Sequence, residues 1–387
     1  MPVALITPTV DIKSPLIVKD LVVRAPAGKS RAKALLLKKL KLEAERESLK
    51  PINVKDAPLF RARLFRLSAD DHVLLLVLHD IIIDGWSMGV FMEELSQLYS
   101  AFAARRRAQL PEPPLQFSDF ARWQRRWSAS AAATRQFAYW KGCLRKASIL
   151  FASTNSDVRG DLAARISQER FHISNDLVAR LSTLSHSRGA TLFMTLLAGF
   201  KALLLLRSGR NDICVATMMA NRSQAGTEGV IGPLANTTLI RTQIDADMTF
   251  QEALTRVRNA VLEAHSTQEL PFDSIAARLA EEDGLDPALL IQVYFVLQVP
   301  FRRLIKLPEL PIQPFAYLEG QSVAMPIDRT WLRMTLREAP SGIAGSCRYK
   351  NNLLTTNTVQ HWIADYEAIL VEAAADPKKS LGRLADR

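Results

Sequence analysis

Residues 31–49, RAKALLLKKLKLEAERESL, set leucines and alanines at three- and four-residue intervals among charges, which predicts an amphipathic helix. The period then falls to two in LFRARLFRL (59–67), the pattern of a half-buried strand. The next run, HVLLLVLH (72–79), is so continuously apolar that a strand buried on both faces is expected. After a polar turn, WSMGVFMEELSQLYSAFAARRR returns to helical spacing, with Ser87 as an early cap and the arginines at the carbonyl end. A Pro-rich loop, LPEPPLQ, leads into FSDFARWQRRW, expected to continue as a helix through RQFAYWKGCL.

The polar, turn-rich FASTNSDVRGDLA (151–163) marks the expected lobe boundary, giving lobes 1–150 and 151–387. Beyond it the pattern predicts a strand (ERFHIS), a helix (NDLVARLSTLSHSRG), an apolar helix at 191–206 and a strand (DICVATMMA). The loop NRSQAGTEGVIG comes next, then a strand (NTTLIRTQI), a helix (TFQEALTRVRNAVLEAHS) and the strand VYFVLQV. Strands near 330–350 and a helix at 356–375 complete the reading. Helices and strands mixed throughout, with no repeat of fixed period, predict an α/β lobe pair. A length of 387 residues agrees with two cores rather than one.

Composition changes the picture little: 48% apolar and 23% charged residues are ordinary for a globular protein. The net charge of +11 points to an acidic partner, with arginines clustered at Arg105, Arg106, Arg107 and at Arg122, Arg125, Arg126. No aromatic-interleaved basic motif, zinc signature or helix-turn-helix accompanies it, so protein docking or a solvated face is favoured over nucleic acid. Cys143, Cys214 and Cys347 are odd in number and widely spaced, as free thiols of a reducing, cytoplasmic compartment are. The start MPVALITPTVDIK lacks the features of a signal peptide. The longest apolar run, 191–206, contains Lys201 and is too short for a bilayer, so no membrane segment is expected.

HDIIIDGWS (79–87) resembles the HHxxxDG motif of condensation domains of nonribosomal peptide synthetases, a branch of the chloramphenicol acetyltransferase-like superfamily. Further stretches resemble that family in order: FSDFARWQ (117–124), GATLFMTLLAGFKALL (189–204), MMANRSQAGTEGVIGPLANT (218–237), TQELPFDSI (267–275) and IQVYFVLQ (291–298). The resemblance covers roughly residues 50–387. It implies a two-lobed α/β fold with a tunnel, into which phosphopantetheine arms of two carrier proteins bring a thioester donor and an amine acceptor for amide formation. It also implies a preceding block of about sixty residues, with a first strand, a first helix and an HExLRTxF-like stretch, that is not found in this sequence, so the chain is read either as a fragment or as lacking part of its first lobe.

Position 80 departs from the family. The working histidine stands four residues before the motif aspartate, and four before Asp84 is Asp80; His79 takes the first, mainly structural, histidine position. If both lie on a strand, His79 and position 80 point to opposite faces, and one cannot replace the other. Imidazole, with a pKa near 6.5, handles protons at neutral pH; a carboxylate, near about 3.9, is a weak base unless burial raises it. Cyclising relatives carry DxxxxD, one residue longer than the DxxxD here. The substitution better resembles non-catalytic relatives such as the oxygenase-recruiting X domains.

The resemblance makes His79, Asp80, Asp84 and Gly85 the candidate catalytic set, with Asp84 in a salt bridge to Arg222. Gly85 allows close substrate approach, and amides near Gly85 and Trp86 suit an oxyanion. A turn with a helix cap is the plain alternative for Asp84 and Gly85. Trp86, Ser87 and Asn236 are candidate substrate contacts, although Pro233 and Ala235 depart from the family's pattern beside Asn236. Ser87 has no GxSxG elbow and is not a nucleophile. His265 reads as a helix-end residue beside Thr267, and His72, His172, His186 and His361 as surface or core residues. No phosphate loop, metal-spaced cluster, adenylation signature or carrier site is found. No directly bound cofactor or metal is expected, and the partners implied are carrier proteins and adjoining synthetase modules. Two functions stay open: an acyltransferase impaired at position 80, or a module that docks carriers or partner enzymes without chemistry.

Overall fold

A computed structural model of the chain describes residues 15–22, 29–145, 147, 150–151, 166–285, 291–298, 307, 310–312 and 330–384. They group into two compact units with a sheet each. One comprises the chain up to Glu112 with Gly229–Pro233; the other comprises Pro113–Glu228 and most of the chain from Leu234 onward. The boundary segment expected at 151–163 lies, Phe151 apart, outside the described residues.

In the first unit, β1 (Leu16–Asp20), β2 (Phe60–Arg66) and β3 (His72–Leu78) form a three-stranded sheet in that order. β1 runs parallel to β2, which requires a crossover, and α1 (Lys29–Leu49) supplies it. The helix expected at 31–49 is therefore present, and its Leu40 and Ala44 close over Leu21, Phe65, Leu67 and Leu75. β1 has no counterpart among the expected strands, because LIVKD is a short, exposed edge strand without alternation. The expectation that 72–79 is buried on both faces is corrected. β3 pairs on one side only among the described residues, and Leu74 is 45% exposed. α2 (Gly85–Ala103) comes after the motif.

The second unit opens with two helices where one was expected. α3 (Phe117–Trp127) stops at Ser128, and Ser130 restarts the chain as the cap of α4 (Ala131–Leu144), accepting the Ala133 N–H at 3.2 Å. The six-stranded sheet contains β4 (Ile166–Ser174), β5 (Asp212–Met219), β6 (Asn236–Gln243), β7 (Val293–Gln298), β8 (Leu332–Ala339) and β9 (Gly342–Lys350), in the order β4-β9-β8-β7-β5-β6. β7 is parallel to both β5 and β8, and the remaining pairs are antiparallel.

The core lies on one face of this sheet. After α5 (Asn175–Ser187), α6 (Leu192–Ser208) is buried on every side from Met194 to Leu205, which accounts for its unbroken apolar run. Phe200 of α6 stacks on Phe295 of β7 with centroids 5.3 Å apart. α7 (Phe250–His265) and α8 (Phe272–Asp283) come next, and α8 has no counterpart among the expected helices. α9 (Thr356–Ala375) packs so closely on α6 at Gly199 that a Cβ there would stand 2.7 Å from Leu370. The Tyr366 hydroxyl, fully buried on α9, donates to the Leu196 carbonyl at 3.0 Å.

Candidate functional site

β3 ends at Leu78 and α2 begins at Gly85, so residues 79–84 form a turn. The strand geometry expected to set His79 and Asp80 on opposite faces therefore does not apply, since both lie past the last paired residue of β3. His79 is anchored through its backbone, donating to the Leu59 carbonyl at 3.1 Å and accepting from the Ile82 N–H at 3.0 Å. Its ring folds back on the same turn: Nδ1 accepts the Ile81 N–H at 3.1 Å. In the neutral ring that bond leaves the proton on Nε2 and fixes the imidazole over its own loop. Asp80, next to it, is exposed.

Asp84 is the N-cap of α2, with φ −122° and ψ −178°. Its Oδ1 accepts the Ser87 N–H at 2.8 Å, satisfying one first-turn donor. The cap expected at Ser87 is thus three residues earlier. Ser87 is fully buried in the first unit, where its Oγ donates to the Gly232 carbonyl at 2.8 Å and accepts the Gly232 N–H at 3.0 Å. One hydroxyl therefore pins the 229–233 segment to α2. A Cβ at Gly85 would meet nothing within 4 Å among the described residues, so packing does not demand glycine there. Trp86 is 49% exposed.

Asn236 belongs to a different cluster. Its Nδ2 donates to the carbonyls of Gln268 and Leu270, both at 2.8 Å, and its Oδ1 accepts the Phe272 N–H at 3.0 Å. Gln136 of α4 grips the same loop, donating to Glu269 at 2.6 Å and accepting the Leu270 N–H at 3.2 Å. Trp140 donates to the Thr267 carbonyl at 3.2 Å, and Ser223 to Glu269 at 3.1 Å. Gln268, itself buried, accepts the Asn221 N–H at 3.2 Å. The stretches MMANRSQ, PLANT and TQELPF, far apart in sequence, therefore converge on residues 267–272. Asn221 takes a left-handed backbone, φ 52°, and Arg222 beside it donates from Nη1 to the Ala220 carbonyl at 2.9 Å. Gln136, Trp140 and Gln268 escape sequence reasoning, because a side chain that grips a distant loop leaves no local pattern.

The other titratable groups sort themselves by burial. Lys201 is fully buried in α6 and donates from Nζ to the carbonyls of Ile213 at 2.8 Å and Ile240 at 2.6 Å. Burial pulls its pKa down to about 7. Arg241 makes a two-pronged pair with Asp212, Nε to Oδ1 at 2.7 Å and Nη2 to Oδ2 at 2.9 Å. Burial pushes the Cys214 and Cys347 thiols up to about 12, and that of Cys143 upward, so none is a thiolate nucleophile at neutral pH. His72, His172, His186, His265 and His361 are all exposed. Among the described residues no group of three or more His, Cys, Asp or Glu gathers as a metal site, and no single helix is long and apolar enough to cross a membrane.

His79, Asp80, Asp84, Gly85, Trp86 and Ser87 thus share one turn and helix start in the first unit, while Arg222 and Asn236 lie in the second. Comparison with known proteins extends this picture. A linear gramicidin synthase polypeptide of Brevibacillus parabrevis is 36% identical over 341 residues, covering 88% of this chain and 4% of that protein's length. The SgcC5 protein of Streptomyces globisporus matches with a TM-score of 0.72 and 26% identity, over 94% of this chain and 81% of that one. The first condensation domain of the calcium-dependent antibiotic synthetase shares the fold at a TM-score of 0.70 and 19% identity, over 95% and 77%. A family model described as the condensation domain matches residues 29–385, and the chain belongs to the condensation-domain family, with its α/β, chloramphenicol acetyltransferase-like fold.

Proposed function

We propose that the chain is an amide-forming condensation domain of nonribosomal or hybrid polyketide synthesis, acting on carrier-bound thioesters in the cytoplasm, and that Asp80 slows its chemistry. The observation that carries this reading is the turn itself. Asp80 stands exposed four residues before the capping Asp84, while the imidazole of His79 is tied through Nδ1 to Ile81.

In the proposed reaction the acceptor amine attacks the thioester carbonyl carbon. A C–N bond forms, the C–S bond breaks, and the proton lost by nitrogen ends on the departing thiol. In this reading the group at position 80 is the one that helps that proton across. A carboxylate, ordinarily with a pKa of about 3.9, is the weaker base at neutral pH, and its charge opposes the developing oxyanion. General acid–base assistance is worth about 10² to 10⁴ in rate, which sets the size of the impairment. The start of α2, at Gly85 and Trp86, supplies first-turn amides and an open approach for the oxyanion. In this reading carrier proteins and neighbouring modules deliver both substrates.

A second reading, a carrier- or partner-docking module without chemistry, is favoured by the same aspartate. Carrier-loaded donor and acceptor mixed with the natural protein or Asp80→His, followed by intact mass, separates the two. A gain of about 10² to 10⁴ in Asp80→His supports the impaired-enzyme reading. Product from the natural protein at an equal or higher rate overturns the role given to position 80. No product from either folded protein leaves the docking module.

A further inference from the structure

The six-stranded sheet has a second face, opposite Phe295, Met334 and Cys347. Register fixes its membership: Gln168, Arg348, Arg333 and Tyr294 are successive Cα partners across β4, β9, β8 and β7. Alternation brings Arg170, Arg337 and Lys350 to the same side. None of the residues that these four strands place there is Asp or Glu; their acids, Glu169 and Glu338, alternate to the other side.

Arginines directly opposite each other on paired strands repel, and Arg333 and Arg348 are such a pair. Arg333 is half-buried and makes no ion pair among the described residues. Its guanidinium carbon lies 4.5 Å from the centroid of the Tyr294 ring, and its Nε is buried without an acceptor there. A sheet selected for stability alone would pair or replace such a cation. We propose that this face binds a carboxylate, held by Arg333 with Arg348 beside it.

The chemistry favours a carboxylate over a phosphate. β8 and β9 are inner strands, so their amides are committed to the ladder and offer no backbone cradle for a tetrahedral anion. A guanidinium lying against a ring presents a planar edge of N–H donors, which matches two carboxylate oxygens. The Tyr294 hydroxyl is already engaged with Thr237 at 3.1 Å and adds nothing. An acyl or aminoacyl group with a side-chain carboxylate is then the substrate class. That last step rests on the condensation reading, whereas the binding does not.

The test is calorimetric titration of the full chain, at matched ionic strength, with glutaramate, its uncharged analogue glutaramide, and inorganic phosphate. Glutaramate is expected to bind, glutaramide not, and phosphate more weakly than glutaramate. Arg333→Gln should weaken glutaramate about tenfold or more, and Arg333→Lys, which keeps the charge without the fork, should weaken it as well. Arg125→Gln, on the exposed side of α3, should change nothing. Equal binding of glutaramide, tighter binding of phosphate, an equal loss in Arg125→Gln, or no binding of any ligand overturns the inference. Should the Arg333 variants fail to fold, the three ligands on the natural protein still decide. None of these titrations needs a carrier or a reaction, so a chain inactive in condensation that binds glutaramate leaves this site standing.

Discussion

The side-chain amide of Asn236 and the carbonyl of Leu270 are joined by a 2.8 Å hydrogen bond, one of three that this amide makes to the backbone of residues 268–272. The first residue of β6 thereby fixes the turn from which α8 starts. Asn236→Ala leaves two carbonyls and one N–H short of partners and should cost about 2–4 kcal/mol. Asn236→Asp should cost more than alanine, because a carboxylate oxygen would replace Nδ2 and face both carbonyls. Urea unfolding of the two variants checks the order, and an aspartate tolerated as well as asparagine would remove the anchoring role.

Lys201 gives the fold a pH dependence of defined sign. Its folded pKa, about 7, lies below the ordinary lysine value of 10.5, so between these values the unfolded chain holds more proton than the folded one. Stability contributed by this residue therefore rises with pH from about 7, at roughly 1.4 kcal/mol per pH unit. Above about 8.5 the raised thiols work against it, since unfolded cysteines ionise first. The clean window is pH 7 to 8.5, and the informative quantity is the difference between the natural protein and Lys201→Met. That difference should move in favour of lysine across the window when unfolding is measured at fixed salt. A flat difference would mean that the ammonium is not desolvated in the fold.

Much of this was legible in the sequence where burial and periodicity coincide. The apolar run at 191–206 announced α6, and the period-two run at 59–67 announced β2. β1 was illegible because an exposed edge strand has no buried face to impose alternation. α8 carries buried Phe272, Ile275, Ala276 and Leu279 at helical spacing, but the run is short and follows Pro271 directly, so no separate helix is expected from the pattern. The N-cap at Asp84 was readable as a cap, though Ser87 was placed first in that role. That Ser87 instead grips Gly232 depends on a partner 145 residues away, which no local pattern encodes.

Ser87 should govern the mobility of the segment it holds. Removing the hydroxyl in Ser87→Ala leaves the Gly232 N–H and carbonyl without that partner, a loss of about 1–3 kcal/mol for buried groups. Hydrogen exchange at Gly232 should then quicken, while exchange in α6, in the core of the second unit, should not. Unchanged exchange at Gly232 would show that another contact secures residues 229–233.

α2 ends in a left-handed turn that has arginine in place of glycine. Arg105, φ 52°, donates its N–H to the Phe102 carbonyl at 2.9 Å, and Arg106 donates to Ala101 at 2.8 Å, a paired closure that favours glycine at the first of the two positions. α6 and α8 end on Gly209 and Gly284 at φ 65° and 64°, where no Cβ opposes that conformation. A side chain at Arg105 costs about 1–2 kcal/mol of strain, partly offset because arginine restricts the unfolded chain more than glycine does. Arg105→Gly should therefore stabilise the protein by about 0.5–1 kcal/mol. Arg105→Ala, which keeps the Cβ and loses a cation near the negative end of the helix, should give no gain. Thermal or urea unfolding of the pair distinguishes strain from charge: if alanine gains as much as glycine, the arginine's charge and not its backbone is the cause.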